Sequence, residues 1–117
     1  MVMKKNVVKE KSFDFAVRIV NLYKHLSQEK KEFVLSKQIL RSGTSVGANV
    51  EEAIGEISKA DFRAKLSIAY KEARETTYWL RLLHASEYLN DEEFDSIFCE
   101  ADELCKLLFT IIKSSTK

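Results

Sequence analysis

Proline does not occur among the 117 residues, and glycine occurs three times, always between residues 43 and 55. Sheet-rich folds reverse direction often and draw on both residues to do so, so their scarcity favours long helices joined by few connections. Cysteine is limited to Cys99 and Cys105. Six residues apart on one helix, they diverge by about 120° and cannot bridge to each other, and Cys105 falls at a core position as a buried free thiol. With no further cysteine nearby, neither belongs to a zinc pattern. No run of about 18 apolar residues exists, so nothing reads as a membrane span. The lysines of residues 1–11 are followed by no apolar h-region, so the start does not read as a signal peptide, and a cytoplasmic location is the expectation.

What is present describes one all-α domain. Apolar residues at 45% and charged residues at 32% are the proportions of a globular chain rather than a disordered one, and the length suffices to bury a core without disulfides or metal. Net charge is +1 but unevenly spread: residues 1–41 hold ten Lys/Arg against four Asp/Glu, and the remainder nine against fourteen. That asymmetry suits self-association as well as a polyanionic partner.

Residues 1–11 read as a mobile basic arm, and residues 12–114 as a single bundle domain. Helix one is predicted from an N-cap at Ser12 to about Ser27, with Phe13, Ala16, Val20 and Tyr23 on one row and Phe15, Ile19, Leu22 and Leu26 on the adjoining one. After a polar connection at 27–31, helix two starts near Glu32 and carries Phe33, Leu35, Ile39, Val46, Val50, Ala53 and Ile57. Ser58, with Asp61 at the third following position, starts helix three, which runs to about Ser86 or Glu87. Its main stripe is Phe62, Leu66, Ala69, Ala73, Thr77 and Leu80. Helix four begins after Asn90 or Asp91 and carries a seam from Phe94 through Leu104, Cys105 and Leu108 to Ile112, ahead of a frayed tail at 114–117. Four helices with short connections predict an antiparallel up-and-down four-helix bundle.

The stretch 41–56 is the most distinctive. At 100° per residue Arg41, Ser45, Asn49, Glu52 and Glu56 fall within an arc of about 80°, a polar seam beside the apolar stripe. With Glu72 and Glu75 of helix three, Arg41, Ser45, Asn49 and Glu52 are predicted to form a buried structural network that sets helix register. Gly43 and Gly47 lie on one side of helix two and leave it without bulk, which predicts close approach of another backbone. A second stripe on helix three, with Ile68, Trp79 and Leu82 as its apolar members, predicts a contact between subunits.

Catalytic patterns are sparse. Di-metal bundles use Glu-x-x-His pairs, but Leu22 precedes His25 and Arg81 precedes His84 at that spacing, so neither metal nor cofactor is expected. Arg18 and His25, seven apart on one face, are the alternative: their spacing loosely resembles the Arg-x(4 to 6)-His arrangement of some all-α ribonucleases of the HEPN superfamily. On helix three Arg63, Lys71, Arg74 and Arg81 with Tyr78 form a basic stripe with an interleaved aromatic, a candidate contact for nucleic acid.

The residues also carry a family resemblance. The segment QILRSGTSVGANVEEA at 38–53, with DFRAKL at 61–66 and KEARETTYWL at 71–80, resembles the bacterial four-helix bundle proteins known as 23S ribosomal RNA intervening-sequence proteins. Arg41, Ser45, Asn49, Glu52 and Glu75 match its motif positions, and the likeness covers roughly residues 13–113. The resemblance implies an up-and-down bundle assembling as a homopentameric ring without enzymatic activity. It also implies kinship with the accessory bundles of diversity-generating retroelements, whose partners are nucleic acids. The chain departs from the commoner form in lacking the helix-one tryptophan and the helix-two prolines, with Val46-Gly47 where Ile-Pro is frequent.

Overall fold

The computed structural model describes residues 2–116; Met1 and Lys117, at the ends of the predicted arm and tail, lie outside the described residues. Four helices, α1 (Val2–Lys24), α2 (Leu35–Ile54), α3 (Lys59–Ala85) and α4 (Asp91–Ser114), run up and down in sequence. Each packs on the next, and α1 returns against α4 to close the bundle, which measures 45 × 20 × 18 Å. The core is a continuous column that includes Phe15, Ile19, Leu26, Ile39, Val46, Leu66, Leu80, Leu83, Leu104, Leu108 and Ile111, all nearly or fully inaccessible.

Two helix starts follow directly from side-chain chemistry. Ser58 caps α3, its hydroxyl accepting the backbone N–H of Asp61 at 3.0 Å. Asn90 opens α4 with a reciprocal capping box: its carbonyl oxygen accepts from the Glu93 N–H at 2.7 Å while the Glu93 carboxylate accepts from the Asn90 N–H at 2.9 Å.

The start of the chain corrects the expectation. Residues 2–11 are the opening turns of α1, not an arm separate from the bundle, and Val8 is buried in the core. Ser12 is not an N-cap; it is buried in mid-helix, with its hydroxyl donating to the Lys9 carbonyl at 3.2 Å. Lys9 and Lys11 are accommodated in the helix by acidic residues of other helices, Lys11 pairing with Glu103 at 3.0 Å and Lys9 lying 3.9 Å from Glu51. The same geometry decides which apolar row of α1 turns inward. Phe15, Ile19 and Leu26 are buried, whereas Phe13 is 63% exposed and Val17 47%.

The α1–α2 connection also differs. The chain continues past Lys24 as a π-helical turn, His25–Glu29, and reverses at Lys31, whose φ of 56° is in the left-handed region. Glu87, at φ 68°, has the same role between α3 and α4. With its glycines all spent elsewhere, the chain places ordinary residues there at a cost of about 1 kcal/mol each. Glu32 precedes α2 rather than opening it and caps it. Its carboxylate accepts the backbone N–H groups of Val34, Leu35 and Ser36 at 3.2, 3.0 and 2.7 Å. Phe33 and Ile57, read as core, are exposed.

Gly43 and Gly47 face α1. A methyl group at Gly43 would lie 2.7 Å from Cγ1 and 2.8 Å from Cγ2 of Ile19, and one at Gly47 would lie 3.2 Å from the Ser12 carbonyl oxygen. The pair therefore lets α1 settle closer to α2 than any side chain permits.

Candidate functional site

The polar seam of α2 is present but organised otherwise than expected. Arg41 reaches across to α3, donating to Glu72 at 3.3 Å and pairing closely with Glu75, which also accepts the indole N–H of Trp79 at 2.9 Å. The Trp79 hydrogen bond, with the nearby Arg41, holds the Glu75 carboxyl below its ordinary pKa despite partial burial. This cluster faces solvent: the Arg41 side chain is half exposed, so each pair contributes about 0.2–1 kcal/mol. Ser45 donates to the Arg41 carbonyl at 2.6 Å and Asn49 to the Ser45 carbonyl at 2.8 Å, both within their own helix. Glu52 instead receives Lys65 at 2.7 Å, which raises the lysine pKa.

The buried polar link between α2 and α3 was missed by the sequence reading. Ser42 Oγ and Thr76 Oγ1 lie 2.9 Å apart, both wholly inaccessible, and Thr76 is also 2.8 Å from the Glu72 carbonyl. Thr76 has one proton for two acceptors; when it goes to Glu72, the Ser42 hydroxyl donates to Thr76. Its place in the core is the one the periodicity assigned to Thr77. The available signal was the smallness of Ser42 and Thr76 on rows flanked by Ile39, Val46, Ala73 and Leu80.

Arg18 and His25 do line one groove, a space of about 270 Å³ between α1 and α4 that also includes Asn21, Leu22, Leu89, Glu93 and Ile97. The guanidinium of Arg18 is paired with Glu100 of α4, so its charge is already answered. His84 is tied down at the same end of the bundle, with Nε2 2.7 Å from the Asp91 carboxylate and its ring stacked on Phe94 at 4.2 Å. Among the described residues no group of three His, Cys, Asp or Glu is placed to hold a metal ion, and no helix is long and apolar enough to cross a membrane.

The basic stripe of α3 divides. Arg63 turns to the end of α4 and donates to the Ser115 carbonyl at 3.0 Å. Lys71 and Tyr78 are exposed, Tyr78 meeting Trp79 edge to face at 5.0 Å. Arg74 and Arg81 instead line a groove of about 550 Å³ between α3 and α4, together with Tyr70, Phe98, Cys105, Lys106 and Phe109. Arg74 donates to the Tyr70 hydroxyl at 3.1 Å. The α4 residues of this groove were not anticipated, because helix four was read for its core seam. Phe109 stands one residue past Leu108, about 100° off that seam. Of the predicted subunit-contact residues, Ile68 is 42% exposed, while Trp79 and Leu82 are half-buried.

The two thiols behave oppositely. Burial pushes Cys105 up to about 11, whereas Cys99 is exposed. Thiolates, not thiols, are alkylated, so iodoacetamide at pH 8 is expected to add one group to the native protein, at Cys99, and a second only after denaturation. Intact-mass measurement with peptide mapping checks this; modification of both thiols at equal rates contradicts it.

Fold and surface together define a helical protein of the up-and-down bundle class. The model of the 23S rRNA-intervening sequence protein family matches residues 4–110, and the chain belongs to that family. It is similar to a solved structure from Bacteroides thetaiotaomicron, a protein of unknown function from the S23 ribosomal protein family. The two share 62% sequence identity and a TM-score of 0.92, over 94% of this chain and 98% of that one. Comparison with curated proteins gave no match.

Proposed function

We propose that the protein is a non-catalytic scaffold that self-associates, as a homopentamer, and offers a basic helical surface to nucleic acid. The observation that carries self-association is the apolar outer face of α1. Phe13 and Val17, one turn apart, are left in solvent by a chain whose core is otherwise filled, and Lys9, Glu10, Asp14 and Glu51 surround Phe13 with charge of both signs. An apolar centre with a mixed-charge rim is the anatomy of a contact between copies. Ile68 on α3 supplies a second exposed apolar point, as a ring requires two different surfaces on each subunit. Five copies is the number implied by the family resemblance. The scaffold reading is favoured over the ribonuclease-like alternative by the pairing of Arg18 with Glu100, which occupies the cation that alternative would use.

Light scattering after size exclusion is the test. The expected mass is about 67 kDa, five times the 13.5 kDa chain, and Phe13→Glu with Val17→Glu is expected to yield folded monomer at micromolar concentration with helical circular dichroism retained. A wild-type monomer at that concentration removes the proposal.

A further inference from the structure

The groove between α3 and α4 combines features that the rest of the surface keeps apart. Its lining carries three cations, Arg74, Arg81 and Lys106, against one carboxylate, Asp102, which Lys106 already answers at 3.0 Å. Arg81 has no hydrogen bond or ion pair among the described residues, and the one polar partner of Arg74 is the neutral Tyr70 hydroxyl. The two arginines are seven residues apart, about 10 Å along the helix, far enough to address successive phosphates of an extended strand. Beside them Phe109 is 51% exposed, its ring centre 6.1 Å from that of Tyr70 and 5.8 Å from the Lys113 ammonium.

We propose that this groove binds single-stranded nucleic acid, stacking a base on Phe109 while Arg74 and Arg81 hold the flanking phosphates. The inference rests on the reading that the protein has a nucleic-acid partner, and it assigns the place and the strandedness. A half-exposed aromatic ring inside a cleft between helices is reached by a base only when that base is splayed out of a duplex. Stacking tolerates any base, because every base has a π-face, so the contact is not sequence-selective. An acidic peptide satisfies the guanidinium groups equally but leaves the ring without a planar partner, which is why the nucleic acid is favoured.

The experiment is fluorescence anisotropy of the full chain at 50 mM KCl. The probes are a labelled 12-nucleotide RNA of mixed sequence, the same RNA as a duplex, and a labelled 12-residue polyglutamate. Single-stranded RNA is expected to bind at least tenfold more tightly than either alternative. Phe109→Leu, which keeps apolar bulk but removes the π-face, is expected to weaken single-strand binding about tenfold. Arg74→Ala with Arg81→Ala is expected to weaken it at least as much and to flatten its salt dependence. Lys24→Ala with Lys37→Ala, both away from the groove, is expected to leave it unchanged. If RNA binds but Phe109→Leu is silent, or duplex binds equally, the groove assignment is overturned while the nucleic-acid reading stands. Polyglutamate binding as tightly as RNA, with the same arginine dependence, overturns the assignment in favour of a protein partner. No RNA binding by the wild type overturns both.

Discussion

Replacing Gly43 with alanine is expected to destabilise the protein by about 1–3 kcal/mol, although alanine is the better helix former. In an isolated helix the substitution is favourable by about 1 kcal/mol. Here the new methyl group falls 2.7–2.8 Å from two carbons of Ile19, a β-branched side chain that is stiff at χ1 and has no exposed surface. Either α1 moves away from α2, loosening the contact along its length, or Ile19 leaves its rotamer. Denaturant unfolding at one fixed protein concentration measures the effect, since the proposed self-association would make apparent stability concentration-dependent. Ile19→Ala alone opens a cavity. In combination with Gly43→Ala, however, the new methyl occupies part of the vacated space, so the double variant is expected to lose less than the sum of the single losses. Strict additivity of the two losses contradicts the packing account.

Glu32→Ala is expected to cost about 2 kcal/mol, the scale for a charged cap that satisfies several helix-start donors at once. Three orphan N–H groups at the start of α2 converge on this one buried carboxylate, and the Ser36 hydroxyl donates to the Glu32 carbonyl at 2.8 Å. Burial by itself raises the carboxyl pKa, but hydrogen bonds from the backbone of Leu35, Ser36 and Val34 outweigh it, so the folded value lies below the ordinary 4.5. A carboxyl with a depressed folded pKa stabilises the fold fully above its unfolded value, and that contribution fades as pH falls through the folded one. Stability is therefore expected to drop below about pH 4.5, and the Glu32→Gln variant to show a shallower drop over the same window. Chemical denaturation from pH 7 to pH 3 compares the two; parallel curves exclude Glu32 as a source of the acid sensitivity.

Much of this architecture was legible in residue order, for reasons that are local. Ser58 with Asp61 and Asn90 with Glu93 announce helix starts because a side-chain oxygen three residues from a backbone N–H closes a cap without help from elsewhere. The glycine pair of α2 announced close packing because two costly residues on one face need a reason. The register network was legible only in part. Arg41 does meet Glu72 and Glu75, but Ser45 and Asn49 satisfy their own helix, and the buried link falls to Ser42 and Thr76. An 80° arc of polar residues beside an apolar stripe can turn toward water or into the core, and the period alone does not choose between them.

Four amphipathic helices, their order, the starts of α3 and α4 and the family motif of residues 38–80 were determined by the sequence itself, because each depends on residues within a turn or two of one another. Tertiary structure decided which of two apolar rows of α1 is core. Phe13 and Phe15 are equally apolar, but Ile19, on the row of Phe15, is the side chain that fits against Gly43, and Phe13 is thereby turned to solvent. It also decided that Lys9 and Lys11 belong to a helix, since their partners Glu51 and Glu103 come from α2 and α4. The groove joining Arg74 and Arg81 to Phe109 exists only because α3 and α4 pack side by side. Charge and ring lie some thirty residues apart in the chain, and packing alone brings them to one surface.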